Sequence, residues 1–277
     1  MTPTYHQLRL DLSTALAQFL EPREANAEAI RWFEEGLGRT RSWIAAHGED
    51  LVVPEERTKV STWLRRRKTG EPWAYILGWT EWRGRRFEVG PATLIPRPET
   101  ELVLEAALDI GKRLGVRRAV DVGTGTGILG ISLALETDWA LTATDISEGA
   151  LVLARKNASV LGARLDFAEG HLLDPVQGPL GLVVSNPPYV DPADRPSLQR
   201  ELKWEPDSAL FATDQGLALS TELLREARRR AAPACVLEIG TGQGAILKGR
   251  CLEMGWKTTW VHQDMAGHDR VLMAIGA

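Results

Sequence analysis

Apolar positions recur in two rhythms along this chain. Through about residue 78 the spacing is helical. Leu8, Leu12, Ala15, Leu16 and Phe19 lie three or four apart, and Pro22 is expected to stop that run. Ala29, Ile30, Trp32, Phe33 and Leu37 predict a second helix ending near Gly36 and Gly38, and Trp43 with Ile44 a short third. Residues 54–68 read as a fourth, with Val60, Trp63 and Leu64 apolar. It ends in Arg65-Arg66-Arg67-Lys68, a run that suits a solvated helix C-terminus or, alternatively, a contact to an acidic partner or RNA. Over 79–98 the character changes. Trp79, Trp82, Phe87 and Val89 between Gly78, Gly84 and Gly90 predict a β-hairpin, and Pro91, Pro96 and Pro98 forbid a regular element after it.

Helical spacing resumes from Glu99 to about Leu114, and strands then alternate with helices. Strands are expected at 118–122, 140–145, 180–185 and 234–239, with a final pair at the C-terminus; helices are expected at 128–135, 148–161 and 217–231. This order predicts an α/β fold, a mainly parallel sheet covered on both faces, preceded by a small all-α domain and a hairpin link. The expected division is 1–78, 79–98 and 99–277.

Composition adds bounds. The 277 residues suit one large domain or two modest ones. The net charge of −4 weighs against a phosphate backbone as the main partner. Cys235 and Cys251 are the only cysteines, which excludes a disulfide framework and a multi-cysteine metal site. The chain has no apolar run of 18 residues to cross a membrane, and MTPTYHQLRLDLSTAL lacks the core of a signal peptide, so a cytoplasmic protein is expected. Six of the ten tryptophans fall in the first 82 residues, where Trp32, Trp43 and Trp63 are expected to fill the small domain's core.

Three features carry chemistry. Asp121-Val-Gly-Thr-Gly-Thr-Gly127 follows a strand and opens a helix, so its backbone can approach a ligand closely. An acid two before G-x-G-x-G is typical of S-adenosylmethionine enzymes; Gly125, Gly127 and Gly130 also fit the dinucleotide fingerprint, and a plain tight turn is the third reading. Asp145 ends the next strand, 22 residues after Gly123, where an acid can accept from ribose hydroxyls or cap the following helix. Asn186-Pro187-Pro188-Tyr189 follows the strand LGLVVS. A planar NH₂ group has a delocalised lone pair and is a poor nucleophile. Two acceptors gripping its hydrogens, the Asn186 side-chain oxygen and the Pro187 carbonyl, can aim that pair at an electrophile. The prolines stiffen the carbonyl's direction, and Tyr189 can pack on a planar amide or base. A second glycine run, Glu238-Ile-Gly-Thr-Gly-Gln-Gly244, has 33 residues after it and no N-P-P-Y, and reads as a strand-to-helix turn.

Together these motifs resemble class I methyltransferases that act on amide or exocyclic nitrogen. More narrowly, the chain resembles the bacterial release factor glutamine N5-methyltransferases. Glu71-Pro-Trp-Ala-Tyr-Ile-Leu-Gly78 is similar to that family's E-P-x-A-Y-I-L-G segment, and Leu94-Ile-Pro-Arg-Pro-Glu-Thr-Glu101 to its I-P-R-P-[DE]-T-E segment. Glu205-Pro-Asp-Ser-Ala-Leu210 and Asp214-Gln-Gly216 resemble its E-P-x-x-A-L and D-x-G stretches. The match runs from about residue 58 to the end.

The resemblance implies a Rossmann-like catalytic domain and a helical domain that recognises the substrate. It implies that Gly123, Thr124, Gly125, Thr126 and Gly127 hold the methionine and ribose of S-adenosylmethionine and that Asp145 binds the ribose. His171 stands where the family has an aromatic beside the adenine; Gly170 stands where it has an acid, with Glu169 and Asp174 as the nearest substitutes. Asn186, Pro187, Pro188 and Tyr189 would bind the glutamine amide, with Asn186 and Pro187 catalytic and Asn186 near the transferable methyl. The implied partner is a class 1 peptide chain release factor, without metal or membrane. The alternative is an adenine-N6 or guanine-N2 methyltransferase on DNA or RNA. Residues 1–85 hold 13 Lys+Arg against 12 Asp+Glu, a balance that suits a protein partner better. A binding protein that merely kept a cofactor fold is the third possibility, and the intact glycines, Asp145 and Asn186 argue against it.

Overall fold

The computed structural model describes residues 2–276. The chain divides into two compact units, one running to Gly78 and including Arg200–Trp204, the other holding the rest.

The first unit contains α1 (Tyr5–Leu16), α2 (Pro22–Arg31), a π turn (Trp32–Gly36), α3 (Arg41–His47), α4 (Pro54–Lys68) and α5 (Trp73–Leu77). Thr4 and Thr40 cap α1 and α3 by accepting from the Gln7 and Trp43 amides. Pro22, expected to end a helix, begins one instead, because proline suits a first helical turn whose N–H has no partner. The π turn widens the helix beyond Arg31 and brings the adjacent Trp32 and Phe33 both into the core. Trp32 stacks on Trp73 at 4.6 Å, and Trp63 meets both rings edge-on, the geometries that aromatic quadrupoles favour. A Cβ on Gly36 would come within 2.7 Å of the Trp63 ring, so this packing needs glycine there. Of the three tryptophans expected in this core, Trp32 is fully buried, whereas Trp43 and Trp63 are only partly buried and pack against it. The basic run is half structural: Arg67 is buried against Glu28 and Glu201, both at 2.7 Å, and Arg66 forks onto Glu71. Removing one partner from a buried pair of this kind costs about 3–5 kcal/mol.

The second unit opens with the antiparallel hairpin β1 (Trp79–Trp82) and β2 (Arg85–Glu88). Its turn residues Arg83 and Gly84 both have left-handed φ, 49° and 69°, as a type I′ turn requires. Then come α6 (Thr100–Leu114), β3 (Arg118–Val122), α7 (Ile128–Glu136), β4 (Ala140–Asp145), α8 (Glu148–Leu161), β5 (Asp166–Glu169), β6 (Leu182–Ser185), α9 (Asp207–Leu210), α10 (Ala218–Arg229), β7 (Ala234–Glu238), α11 (Gly244–Glu253), β8 (Thr258–Gln263) and β9 (Asp269–Ile275). The seven-stranded sheet runs β5-β4-β3-β6-β7-β9-β8, parallel except where β9 pairs with β7 and β8. Alternate strand residues feed two cores. Ala119, Leu182, Val184 and Val236 pack towards α6 and α7, while Val120, Val183, Cys235 and Leu237 pack towards α10 and α11. The edge strand β5 has no buried residue and so no apolar run, which is why the sequence pattern does not show it.

Candidate active site

The chain leaves β3 towards β4 and β5 on one side and returns through β6 and β7 on the other. The order therefore reverses between β3 and β6, and crevices for ligands form at the carboxyl ends of such strands. The glycine loop follows β3 and the N-P-P-Y turn follows β6, and both wall one cavity of about 320 Å³. Gly123, Thr124, Gly125, Thr126, Asp145, His171, Asn186, Pro187 and Pro188 are on its wall; Gly127 and Tyr189 are not.

Asp121 ties the glycine loop to the helix behind it. Its Oδ2 accepts from the Thr124 hydroxyl at 2.6 Å and from the Gly130 amide at 2.8 Å. It is fully buried, and burial raises its pKa to about 6 against these two bonds, which favour the charge. Gly123 and Gly125 have φ of 66° and 54°, and nothing lies within 4 Å of where a Cβ would stand. Gly127 opens α7 with a backbone that only glycine adopts freely, and its side-chain direction faces Ile131 rather than the cavity.

Asp145 ends β4. Its Oδ2 accepts from the Gly125 amide and its Oδ1 from the Ser147 amide, each at 2.9 Å. Burial raises its pKa, opposed by those amides. The cap of α8 is Ser147, whose hydroxyl oxygen accepts from the Ala150 amide, so Asp145 is not that cap. Beside it the exposed side chain of Ile146 adds an apolar wall. His171 stands on the wall with its Nε2 3.1 Å from Glu222. Glu169 and Asp174, the acids expected nearby, are exposed and off the wall.

The N-P-P-Y turn is braced by residues that no local pattern exposes. Asn186 Nδ2 donates to Thr100 Oγ1 at 3.2 Å, and Thr100 donates to Glu238 Oε2 at 2.6 Å. The Tyr189 hydroxyl donates to Glu238 Oε1 at 3.2 Å, and Tyr189, expected to pack on the substrate amide, is not on the cavity wall. Burial raises the Glu238 pKa to about 7 and pushes Tyr189 well above the usual phenol range. Gln243 fills the second glycine run: its Oε1 accepts from the Gly240 amide, and its Nε2 donates to the carbonyls of Tyr189 and Gln215. Thr100 lies in the I-P-R-P-E-T-E segment and Glu238 opens the second glycine run, so motif membership was their only signal in the sequence.

The family model described as "Methyltransferase small domain" matches residues 100–204, and that of the "PrmC N-terminal domain" matches 11–78. The release factor glutamine methyltransferase of Neisseria gonorrhoeae is 41% identical over 240 residues, covering 84% of this chain and 87% of the relative. The chain belongs to the release factor glutamine methyltransferase family. The Deinococcus radiodurans member is 36% identical over 273 residues, covering 97% of this chain and 98% of the relative. Among solved structures, the hMettl16 catalytic domain in complex with MAT2A 3′UTR hairpin 6 superposes with a TM-score of 0.59 at 14% identity, covering 81% of this chain and 82% of that one. A methyltransferase from Pyrococcus furiosus gives 0.53 at 16% identity, covering 81% and 100%. These two likenesses establish the Rossmann-like methyltransferase fold and nothing finer. Among the described residues, no helix is long and apolar enough to cross a membrane.

Proposed function

We propose that this protein transfers a methyl group from S-adenosylmethionine to the side-chain amide nitrogen, N5, of the glutamine in the Gly-Gly-Gln motif of class 1 peptide chain release factors, in the cytoplasm. One observation carries the reading: the glycine loop and the N-P-P-Y turn wall the same cavity, in a chain of this family.

The residues fit the cofactor. Gly123 and Gly125 leave open space where any other residue would project a side chain, and Asp145 retains lone pairs for ribose hydroxyls after accepting from two amides. The loop residues 123–127 would hold the methionine and ribose, and His171 would lie towards the purine. When bound, the cofactor would supply an electrophilic methyl group on a sulfonium centre, and S-adenosylhomocysteine would leave with the electron pair of the broken S–C bond.

The chain's own residues supply grip and orientation. Asn186 Oδ1 and the Pro187 carbonyl accept the two hydrogens of the glutamine amide and turn its lone pair towards the methyl group. Pro187 and Pro188 hold that carbonyl in place, and Tyr189 is held in turn by Glu238. As the nitrogen gains a methyl group it becomes positive. The two facing oxygens stabilise that charge until a proton leaves to water. The helical unit is assigned to gripping the release factor.

The test is to incubate the protein with labelled cofactor, purified release factors and bulk nucleic acid. Label on the Gly-Gly-Gln glutamine is expected; label on nucleic acid alone would refute the substrate. The adenine or guanine alternative is not favoured, because the curated relatives are named for release factors. Asn186→Ala is expected to abolish transfer while cofactor binding largely survives, and turnover near the wild-type rate would refute the grip.

A further inference from the structure

Hydrogen-bond direction along one buried chain of groups decides which way Asn186 faces. When Glu238 is ionised its carboxylate has only acceptors, so the Thr100 hydroxyl gives its hydrogen to Glu238, 2.6 Å away. Thr100 then offers only lone pairs to Asn186, so the carboxamide must present its NH₂ group to Thr100. Its oxygen is left for the cavity. Thr100 is fully buried and on the cavity wall, and Glu238 is buried behind it.

We propose that Glu238, acting through Thr100, is a positioning residue that fixes the Asn186 carboxamide with its oxygen towards the substrate nitrogen. This rests on the amide-gripping role given to Asn186 above. The reversed state shows what the relay prevents. With Glu238 neutral, Thr100 can turn its hydroxyl to Asn186, the carboxamide can rotate, and an NH₂ group then faces the substrate's NH₂. Donor meets donor and the grip is lost.

The relay carries its own pH signature. Glu238 is faced by Thr100 and Tyr189, whose hydroxyls favour its charge, by Arg270, which also favours it, and by Glu99, which opposes it. Burial is the largest influence and leaves its pKa at about 7. Tyr189 remains protonated, raised by burial and by the charge of Glu238 and only partly offset by Arg270 and Arg97. The carboxylate form is the competent one, so activity is expected to fall as pH drops through about 7.

The experiment uses the full chain, S-adenosylmethionine and a purified release factor, with kcat and KM measured from pH 6 to 9 and cofactor affinity by calorimetry. Glu238→Gln and Thr100→Val are nearly isosteric. Each is expected to lower kcat roughly 10- to 100-fold, the scale of a misoriented catalytic contact, with cofactor affinity and KM within about threefold. Glu238→Gln should also lose the pH limb near 7. Thr100→Ser keeps the hydroxyl and should recover most of the rate, and the double variant should be no slower than the slower single. Wild-type kcat in both single variants, a change confined to KM, or a pH limb that survives in Glu238→Gln would each overturn the relay. If wild type labels only nucleic acid, the substrate reading fails separately, and the same ratios on that exocyclic amine still judge the relay.

Discussion

The motif acid-x-Gly-Thr-Gly-x-Gly occurs twice, at 121–127 running out of the end of β3 and at 238–244 running out of the end of β7 of the same sheet. The first copy stays open. Asp121 is consumed by its own loop and helix, and Gly123 has left-handed φ with free space above it. The second copy is filled. A Cβ on Gly240 would meet Gln243 at 3.1 Å and the Tyr189 ring at 3.3 Å, and Glu238 reaches outward to Thr100 and Tyr189. The sixth position separates them. Thr126 is short and contributes its backbone carbonyl to Asn157, whereas Gln243 folds back across its loop and on to the N-P-P-Y turn. A glycine-rich turn is thus an opportunity for a ligand, and what the rest of the fold brings over it decides whether it becomes a cradle or a brace.

The sharpest separation of the copies is expected from the pH dependence of stability. Both acids have folded-state pKa values raised by burial, Asp121 from 3.8 to about 6 and Glu238 from 4.5 to about 7. For a raised acid the folded state holds the proton more tightly, so the contribution is fully present below the unfolded pKa and lost as pH climbs through the folded one. Each loss is on the order of 3 kcal/mol at full ionisation. Glu238→Gln should therefore gain stability relative to wild type between about pH 4.5 and 7, and Asp121→Asn should gain it earlier, between about 3.8 and 6. Denaturant unfolding at pH 5, 6.5 and 8 checks this, and a Glu238→Gln curve parallel to wild type would contradict it. A variant that is firmer at pH 8 yet slower would also show that its lost activity is not lost folding.

Gly125→Ala and Gly242→Ala compare the loops more directly. Both glycines have left-handed φ, 54° and 81°, and neither has an atom within 4 Å of the added Cβ. The backbone strain is therefore the same in kind, about 1–2 kcal/mol each. Only Gly125 is on the cavity wall. Gly125→Ala is expected to weaken S-adenosylmethionine binding roughly a hundredfold, about 2.7 kcal/mol, while Gly242→Ala stays within about twofold of wild type. Equal losses in a calorimetric titration would contradict the proposal that the first loop alone holds the cofactor.

What could be read in the sequence follows from range. The alternating strands and helices, the hairpin and the parallel sheet are local patterns, and they appear in the structure. The glycine run, Asp145 and N-P-P-Y are also local, so their convergence on one crevice follows from where β3, β4 and β6 end. The braces are of another kind. Thr100 and Glu238 are 138 residues apart, and Asn186 and Thr100 are 86 apart; no periodicity links such positions. The π turn and β5 were hidden for smaller reasons, one by a single inserted residue in a helix and the other by the lack of a buried face. Reading 238–244 as a plain strand-to-helix turn describes its backbone and misses its contacts with the N-P-P-Y turn.

The smallest effect is expected from Gln243→Ala, which removes the brace and leaves the cradle alone. The substitution strips partners from the Gly240 amide and from the carbonyls of Tyr189 and Gln215. Half-exposed groups recover part of that loss from water, so stability should fall by about 1–2 kcal/mol. On the proposed amide grip, the Tyr189 carbonyl belongs to the turn that would aim the Pro187 carbonyl, so kcat should drop roughly tenfold, while cofactor affinity should stay within about twofold because the first loop is untouched. Gln243→Glu sharpens the point. It keeps an acceptor for Gly240 but turns an oxygen towards two carbonyls, so it should do no better than alanine. If it retained the wild-type kcat, the Nε2 bonds would be incidental and only the contact to Gly240 would matter, which would return the second glycine loop to the status of a simple turn.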